Sequence, residues 1–451
     1  MIKKNDVITL EITDLTSEGM GVGRVDGYVV FVAGTSPGDV VSARMLKADK
    51  SFGYAKIEEI IKSSDMRTSP DCPVFPRCGG CLYRHIKYEN ERGIKKGWVV
   101  ENFRRIGGFD VGDIEIYSPS SPDGYRNKAQ YPAETQKDGR LRFGFYSTHS
   151  HRVAPCRACA LQPDFYADIV GAAEDFLNKY KIPAYSEESG AGLVRHLYVR
   201  HGVGSGEVMV ALVINGDALP HSDEFTDAVR GAAPGVVSVM LIKNTEKTNV
   251  ILGEKSSVLW GKGGITDTLC KMKFDISPHS FYQVNHDGAE LLYGLAAKYA
   301  SLSGGETLVD LYCGTGTIGL SMAKDAGKLI GVEIVPSAVE NARENAKNNW
   351  IENAEFICAD AGKAANMLAD SGIRPDVLIV DPPRKGCGAD VYDAIGKMRP
   401  ERIVMISCNS ATGARDARAF AEIGYKLKDI AAVDMFPRTG HVESVVKLIR
   451  Q

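Results

Sequence analysis

The sequence predicts a multidomain α/β protein, with an N-terminal OB-like β-barrel, a central α+β domain and a C-terminal Rossmann-like domain. Short apolar segments separated by glycine and proline turns fill residues 1–62. A cysteine-rich, basic segment opens residues 63–280, and strands alternate regularly with helices over residues 281–451. That alternation is typical of a doubly wound, mostly parallel sheet. A chain of 451 residues is long enough for about three such domains.

Composition and charge restrict the environment of the protein. The formal net charge is −3, and the sequence shows neither a signal-peptide pattern nor an apolar run long enough to span a bilayer. Five of the ten cysteines lie between Cys72 and Cys159, and clustered thiols in a reducing compartment favour metal binding over disulfides. We therefore expect a cytoplasmic monomer without membrane association.

Positive charge is concentrated in one part of the chain. Residues 63–160 carry 16 Lys and Arg against 11 Asp and Glu, a balance that suits contact with a phosphate backbone. A solvated surface with a mild imbalance is the alternative interpretation.

The N-terminal segment contains four predicted strands, at residues 7–15, 28–32, 40–46 and 55–61. Gly19-Met-Gly-Val-Gly23 and Pro37-Gly38 are interpreted as turns between them. The E-G-x-G-x-G pattern that ends at Gly23, together with Gly27-Tyr-Val-Val-Phe-Val32, resembles the TRAM domain, an OB-like barrel appended to RNA-modifying enzymes. The resemblance implies RNA binding, and a protein-interaction barrel is the alternative.

A glycine-rich segment marks a cofactor site in the C-terminal domain. Asp310-Leu-Tyr-Cys-Gly-Thr-Gly-Thr-Ile-Gly319 follows a predicted strand and opens a helix, and its glycines allow close backbone approach to a ligand. Glu333 ends the next strand, where a carboxylate can accept hydrogen bonds from ribose hydroxyls. Because this segment also satisfies G-x-G-x-x-G, a dinucleotide remains a competing ligand on that motif alone.

Four motifs on successive predicted strands favour S-adenosylmethionine. Asp310 and Glu333 end the first two strands, Asp360 ends the third, and Asp381-Pro-Pro-Arg384 follows the fourth. This arrangement resembles the class I methyltransferases, which read the adenine amino group at the third strand and carry a D/N-P-P motif after the fourth.

A candidate nucleophile follows the next strand, in Ser407-Cys408-Asn409. Carbon 5 of uracil is a poor nucleophile, but a thiolate that adds to carbon 6 turns the ring into an enolate that can take a methyl group at carbon 5. A carboxylate must then remove the proton from carbon 5. Glu443 is the candidate base, because an acid within an apolar strand is costly unless it has a function or a partner.

These segments resemble the RNA uracil-5-methyltransferase family over essentially the whole chain. The matching motifs are Phe281-Tyr-Gln-Val-Asn285, Asp381-Pro-Pro-Arg-Lys-Gly386, Ser407-Cys-Asn409 and Phe436-Pro-x-Thr-x-His-Val-Glu443. The resemblance implies that Cys408 is the nucleophile and Glu443 the base, with Asp381 and Arg384 as further catalytic residues. It implies cofactor contacts from Gln283, Tyr312, Gly314, Gly316, Thr317, Glu333, Asp360 and Asp381. Ser410 replaces the proline usual after Cys-Asn, which predicts a looser loop.

A cysteine cluster predicts a metal centre. Cys72, Cys78 and Cys81 lie within ten residues, and Cys156 or Cys159 is available as a fourth ligand. Four thiolates suit zinc or an iron–sulfur cluster. The C-x5-C-G-G-C stretch resembles the [4Fe–4S] segment of many of these RNA methyltransferases, whose last ligand precedes a Leu-Gln pair. The resemblance therefore implies a structural [4Fe–4S] cluster on Cys72, Cys78, Cys81 and Cys159.

The sequence thus predicts S-adenosylmethionine-dependent methylation of carbon 5 of uridine in RNA. Residues 83–88 and 125–131 interleave aromatic and basic groups that suit stacking on splayed bases, although a core position is the commoner role of a tyrosine. The barrel and cluster together look more like the ribosomal-RNA branch, so we expect 23S rRNA as the partner. The alternatives are a transfer-RNA uridine-5 methyltransferase, an amino-group methyltransferase with no use for Cys408, and a catalytically idle RNA-binding iron–sulfur protein.

Overall fold

The computed structural model describes residues 2–451, which form two compact units. The first unit comprises the chain up to Gly97 together with Phe145–Ala154 and Phe436–His441. The second comprises Trp98–Gly144, Pro155–Met435 and Val442–Gln451. The domain boundaries predicted at residues 62 and 280 stay predictions.

The first unit contains a closed five-stranded barrel, which confirms the predicted OB-like fold. Its strands are β1 (Val7–Leu15), β2 (Met20–Val25), β3 (Tyr28–Ala33), β4 (Val40–Ala48) and β5 (Phe52–Lys62). They follow the order β1-β2-β3-β5-β4, and pairing between β1 and β4 closes the barrel. Only the β3–β5 pair is parallel within it. Alternate side chains fill the interior, and these are Leu10, Ile12, Val30, Val32, Val41, Ala43, Met45 and Ala55.

Strand β2 corrects one sequence interpretation. The glycines of residues 19–23 predict a turn, but the chain is a strand from Met20 onward. A Cβ on Gly21 would lie 1.9 Å from the Thr35 hydroxyl oxygen, and one on Gly23 would lie 2.5 Å from the Glu11 carbonyl oxygen. Glycine is therefore needed in β2 for close approach across the barrel, not for a turn.

Residues 83–88 pack against the barrel. Tyr83 is 1% exposed, and its hydroxyl donates to the Thr16 carbonyl at 2.7 Å. The His85 Nε2 atom lies 3.1 Å from the Thr35 carbonyl oxygen. Tyr83 and His85 are buried, so for these two side chains the structure shows the alternative of a core position. The segment leads into helix α1 (Tyr88–Arg105).

A seven-stranded sheet occupies the middle of the chain. After a short β6 (Glu115–Tyr117), its strands are β7 (Lys128–Thr135), β8 (Leu141–Tyr146), β9 (Val153–Pro155), β10 (Val194–His201), β11 (Val208–Ile214), β12 (Val236–Lys243) and β13 (Lys255–Gly261). Their order is β13-β12-β11-β10-β7-β8-β9. Two helices accompany them, α2 (Tyr166–Lys179) and α3 (Ser222–Ala232), and a two-stranded hairpin follows, β14 (Ile265–Leu269) and β15 (Met272–Ile276).

An eight-stranded sheet carries the predicted chemistry. Beside β6 it contains β16 (Thr307–Leu311), β17 (Lys328–Glu333), β18 (Ala354–Cys358), β19 (Val377–Val380), β20 (Arg402–Ser407), β21 (Tyr425–Val433) and β22 (Glu443–Arg450). The helices are α4 (His286–Ala300), α5 (Thr317–Met322), α6 (Pro336–Asn348), α7 (Ala361–Asp370), α8 (Ala389–Met398) and α9 (Ser410–Glu422). The strand order is β18-β17-β16-β19-β20-β22-β21-β6.

The direction of these strands defines the edge where side chains converge. Strands β16 to β20 are parallel, and their order reverses between β16 and β19. Ligands of open α/β sheets bind outside the carboxyl ends of the strands at such a switch point. Strand β22 is antiparallel to β20, so its first residue, Glu443, lies at the same edge. Over residues 2–451, no helix has both the length and the hydropathy that a membrane crossing requires.

Candidate active site

The turn after β16 has the shape of a nucleotide-binding loop. The Asp310 carboxylate is buried and accepts a hydrogen bond from the Gly319 amide at 2.9 Å, which closes the turn. Tyr312, Gly314 and Gly316 all have positive φ values, of 67°, 56° and 80°. Burial raises the pKa of Asp310 to about 8.

Two further carboxylates stand beyond this turn. Glu333 accepts hydrogen bonds from the Gly314 amide at 3.1 Å and the Val335 amide at 2.9 Å, so it is fixed against the glycine-rich turn. Asp360 is exposed and caps helix α7 through the Gly362 and Lys363 amides, at 3.2 and 3.3 Å. The Asp360 carboxylate therefore has a structural role in addition to the predicted one.

A buried tyrosine connects two predicted cofactor residues. The Tyr293 hydroxyl lies 3.1 Å from the Thr317 hydroxyl oxygen. Burial raises the pKa of Tyr293, and hydrogen bonds with Thr317 and Gln283 partly oppose this shift. The buried Asn127 donates from Nδ2 to the Gln283 carbonyl at 3.0 Å. Sequence analysis missed Tyr293 and Asn127 as supports of this site. Tyr293 lies on the buried face of α4, where its spacing matches an ordinary core residue.

The predicted nucleophile and base lie at the ends of paired strands. Ser407 of β20 is opposite Ser444 of β22 in antiparallel register. Cys408 follows directly after the end of β20, and Glu443 is the first residue of β22. Cys408 is partly exposed, whereas Glu443 is 7% exposed.

Burial and mutual charge govern the ionisation of this group. Burial raises the pKa of Glu443 to about 8, with a further contribution from Asp381, while the Arg384 guanidinium opposes the shift. Burial raises the pKa of Asp381 to about 7. The pKa of Cys408 is raised by burial and then by Glu443 and Asp381, and lowered by Arg384. The four side chains therefore form one electrostatic unit, in which Arg384 is exposed and the carboxyls are sheltered.

Helix α9 holds the loop that follows Asp381-Pro-Pro. The Thr412 hydroxyl donates to the Arg384 carbonyl at 3.0 Å, and an Arg415 terminal nitrogen donates to the Lys385 carbonyl at 2.8 Å. Asp416 is buried and accepts from the Cys387 amide at 2.8 Å. Because α9 begins just after Cys408, one helix positions both the thiol and the loop of Arg384. No motif distinguishes these three residues in the sequence, so sequence analysis missed them.

Ser410 is the first residue of α9, and the predicted looser loop is wrong. The Asn409 side chain caps the helix by accepting from the Ala411 and Thr412 amides, at 3.0 and 3.4 Å. The Ser410 hydroxyl accepts a hydrogen bond from Asn102 Nδ2 at 2.7 Å. Proline suits the first position of a helix because of its fixed φ. In this chain, the Asn409 cap and the hydrogen bond of the Ser410 hydroxyl hold the first turn of α9, where a proline would fix φ.

The predicted metal ligands divide between the two units. Cys72, Cys78 and Cys81 belong to the first unit, and Cys156 and Cys159 belong to the second. All ten cysteines are free thiols. Among residues 2–451, no group of three or more His, Cys, Asp or Glu side chains has the arrangement of a metal site. The iron–sulfur centre is therefore not shown.

The fold and this edge define a class I S-adenosylmethionine-dependent methyltransferase domain. Comparison with known proteins is consistent with that class. Residues 230–451 match the family described as tRNA (Uracil-5-)-methyltransferase, and residues 3–57 match the TRAM domain. A crystal structure of Pyrococcus abyssi tRNA (uracil-54, C5)-methyltransferase in complex with S-adenosyl-L-homocysteine superposes with a TM-score of 0.79 at 26% identity. The match covers 98% of this chain and 100% of that one.

Full-length relatives define the family. An uncharacterized RNA methyltransferase of Clostridium acetobutylicum is 40% identical, covering 100% of this chain and 98% of the relative. One from Lactiplantibacillus plantarum is 41% identical over the same shares. The chain therefore belongs to the S-adenosylmethionine-dependent RNA uracil-5-methyltransferase family and carries a TRAM domain.

Proposed function

We propose that this enzyme methylates carbon 5 of uridine in 23S ribosomal RNA through a covalent adduct on Cys408. The observation that best supports the proposal is the end of the β20–β22 ladder, where Ser407 lies opposite Ser444. The adjoining Cys408 and Glu443 are close enough that Glu443 raises the pKa of Cys408. A methyltransferase acting on an amino group has no use for a thiol at this place.

In the proposed reaction, the partly exposed Cys408 thiol gives its proton to solvent, and the sulfur forms a bond with carbon 6 of the uracil ring. The electron pair of the 5,6 double bond moves toward the carbonyl oxygen at position 4, giving an enolate near Arg384. S-adenosylmethionine supplies the methyl group as an electrophilic sulfonium. Carbon 5 would take that methyl group as the methyl–sulfur bond breaks and S-adenosylhomocysteine leaves with the electron pair, and Glu443 would then accept the proton from carbon 5. The 5,6 double bond re-forms as the carbon–sulfur bond breaks, which returns Cys408.

The ionisation of the site supports these roles. A general base works best when its pKa lies near the working pH, and burial brings the pKa of Glu443 to about 8. The same burial opposes thiolate formation at Cys408, and the Arg384 guanidinium is the charge that favours it.

Residues of the β16–β18 edge support cofactor binding. The amide-bonded Glu333 carboxylate and the turn through Tyr312, Gly314 and Gly316 would hold the ribose and the amino acid moiety. Gln283, Thr317 and Asp381 would line the methyl-donor end, steadied through Tyr293. Asp360 would reach the adenine while capping α7.

We also propose a structural [4Fe–4S] cluster on Cys72, Cys78, Cys81 and Cys159. The pKa of Cys81 is raised by burial and, further, by Cys78 and Cys72, so these three thiols share one locality. Cys156 is buried, and its thiol donates to the Ala158 carbonyl at 3.2 Å. Cys159 is more exposed, which favours it as the fourth ligand. Methyl transfer needs no redox step, so the proposed cluster would have a structural role.

Transfer RNA is the second candidate substrate, because the superposed Pyrococcus enzyme and the matching family are described as acting on tRNA. The barrel combined with the cysteine segment favours ribosomal RNA. Free thiols and an RNA substrate both suit a reducing cytoplasm.

A deletion strain decides between the two substrates. Mass spectrometry of nuclease fragments should show that 5-methyluridine is lost from 23S rRNA and retained in tRNA. A plasmid that carries the wild-type gene should restore 5-methyluridine in 23S rRNA, whereas a plasmid that carries Cys408→Ala should not. Loss confined to tRNA would move the assignment to that substrate. Unchanged 5-methyluridine in both RNAs would refute the proposed function.

A further inference from the structure

A buried arginine holds the backbone just before Gln283. Arg200 of β10 is 1% exposed. One terminal nitrogen of its guanidinium donates to the Ser280 carbonyl at 3.0 Å, and the other donates to the Tyr282 carbonyl at 2.9 Å. A planar guanidinium can bond two oxygens at once in a fixed geometry, which a lysine ammonium does not reproduce. Arg200 therefore bridges two carbonyls on the approach to Gln283.

Residues 280–284, which we name the Gln283 segment, belong to no helix or strand. Asn127 holds the other end of the segment: its Nδ2 atom donates to the Gln283 carbonyl at 3.0 Å, and its amide donates to the Val284 carbonyl at 2.8 Å. Four of the five carbonyls of the segment thus accept hydrogen bonds from Arg200 or Asn127. These two residues supply the fixed geometry that regular secondary structure would otherwise give.

The positive charge of Arg200 is compensated by the Gln283 segment and not by a carboxylate. Within residues 2–451, the guanidinium donates to the two carbonyls and, at 3.3 Å, to the Tyr198 hydroxyl. It also lies 5.6 Å from the centroid of the Tyr282 ring, within the range of a cation–π contact. Burying a charge is costly unless hydrogen bonds replace its hydration. Movement of the Gln283 segment would therefore leave a buried cation without its partners.

The side chains of the segment differ in how firmly they are held. Tyr282 is 4% exposed, and its hydroxyl donates to the Asp267 carboxylate at 3.0 Å. Phe281 is 70% exposed and so adds little apolar burial to the segment. Gln283 is partly exposed and shares a hydrogen bond with the Tyr293 hydroxyl. The direction of the Gln283 side chain therefore depends on the backbone that carries it.

We propose that Arg200 is a positioning residue for S-adenosylmethionine binding, which fixes the backbone that presents the Gln283 side chain. A binding side chain has to be held within about 0.5 Å by the residues behind it. Arg200 is buried and bonds backbone oxygens, so it acts on the cofactor only through Gln283. The inference rests on the proposed function, in which Gln283 lines the methyl-donor end of the cofactor site.

Calorimetric titration of S-adenosylmethionine into the full-length protein, without RNA, tests this role. Gln283→Ala removes the proposed contact and should weaken binding about 10-fold, and Arg200→Met should weaken it by a similar factor because the contact is misplaced. Arg195→Met is the matched control. Arg195 is on the same strand and 7% exposed, and its guanidinium also bonds two carbonyls, those of Asn244 and Glu246, at 3.1 and 2.8 Å. This variant should bind S-adenosylmethionine as the wild type does.

The double variant shows whether Arg200 acts through Gln283. Arg200→Met combined with Gln283→Ala should bind within about 2-fold of Gln283→Ala alone, because no side chain is left to position. Losses that multiply in the double variant would overturn the proposal. Wild-type affinity in Arg200→Met, or an equal loss in Arg195→Met, would overturn it as well.

Arg200→Lys keeps the charge but cannot bridge both carbonyls, so it should weaken binding in the same direction. If Arg200→Met does not fold, Arg200→Lys decides, and wild-type affinity in that variant would overturn the proposal. Failure of the proposed function is visible in Gln283→Ala by itself: unchanged affinity there would remove the cofactor contact, and the role of Arg200 with it. Unchanged affinity in the Arg200 variants alone would remove only the role of Arg200.

Discussion

At the scale of single residues, Cys408 is surrounded by groups that favour its neutral form. Its pKa is raised by burial, Glu443 and Asp381, while Arg384 and a backbone hydrogen bond act in the opposite direction. Most catalytic cysteines are activated by cations or helix N-termini. The site of this enzyme instead couples the thiol to two carboxyls whose pKa values are themselves raised to about 7 and 8. The charges of Asp381 and Glu443 therefore affect the pKa of the Cys408 thiol.

Removal of the base should separate the two halves of the reaction. Glu443→Gln keeps the shape of the side chain but cannot accept the proton from carbon 5, so addition and methylation proceed and elimination does not. We expect a covalent protein–RNA complex that survives denaturation and migrates slowly on a gel when enzyme, RNA and S-adenosylmethionine are combined. Release of free methylated RNA at the wild-type rate would assign the base to another group.

The pH dependence of the thiol has a defined direction. Because burial, Glu443 and Asp381 raise the pKa of Cys408, alkylation of this thiol by iodoacetamide should accelerate as the pH rises, with a midpoint above that of an ordinary cysteine. Glu443→Gln removes one negative neighbour, so the midpoint should move to lower pH. Asp287→Asn, at an exposed position outside the site, is the control and should leave the midpoint unchanged. A shift to higher pH in Glu443→Gln would contradict the electrostatic account.

At the scale of elements, helix α9 joins the nucleophile to the loop of Arg384. Arg415 and Arg418 lie on the same helix, but only Arg415 contacts the loop, through the Lys385 carbonyl. The Arg418 guanidinium instead pairs with Glu422 at 3.2 Å on the exposed face. The two arginines therefore offer a matched comparison of loop positioning and surface charge.

Arg415→Gln should lower the rate of methyl transfer at saturating substrates about 10- to 100-fold, because small displacements of reacting groups are costly. Arg418→Gln should have no effect. Thr412→Val, which loses the hydroxyl's bonds to the Arg384 and Asn409 carbonyls, should act in the same direction as Arg415→Gln. S-adenosylmethionine affinity should stay constant in all three variants. Equal rates for Arg415→Gln and Arg418→Gln would show that the loop holds its position without α9.

Elements with a clear pattern could be predicted from the sequence, and contacts between distant segments could not. The alternation of apolar runs and helices located β16 to β22 within a few residues, because buried parallel strands are short continuous apolar runs. Strand β2 was missed because its glycines allow neighbouring chain segments to approach closely. In the sequence alone, such glycines cannot be distinguished from those of a turn. Asn127, Tyr293 and Asp416 have no local pattern, since their function depends on residues more than twenty positions away.

At the scale of the whole molecule, the predicted metal ligands divide between the two compact units. Cys72, Cys78 and Cys81 lie in one unit and Cys159 in the other. The proposed cluster has no redox step to perform in methyl transfer, so we expect its role to be structural.

Protein purified without oxygen should be brown and contain about four iron and four sulfide ions per chain. Cys159→Ser should lose the absorbance of the cluster, and Cys156→Ser, the matched control, should retain it. Zinc in place of iron would overturn the assignment of the cluster. Loss of the centre in Cys156→Ser but not in Cys159→Ser would move the fourth ligand to Cys156.

The central claim is that RNA methylation proceeds through a bond between Cys408 and the uracil ring. A 23S rRNA transcript made with 5-fluorouridine tests it, because fluorine at carbon 5 cannot be removed as a proton and the methylated adduct is trapped. After incubation with S-adenosylmethionine, mass spectrometry should find a methylated nucleotide attached to the peptide that contains Cys408. Cys408→Ala should form no adduct and still bind S-adenosylmethionine, and Cys270→Ala should behave as the wild type does. Methylation of unmodified RNA by Cys408→Ala, or an adduct on any other residue, would contradict the account.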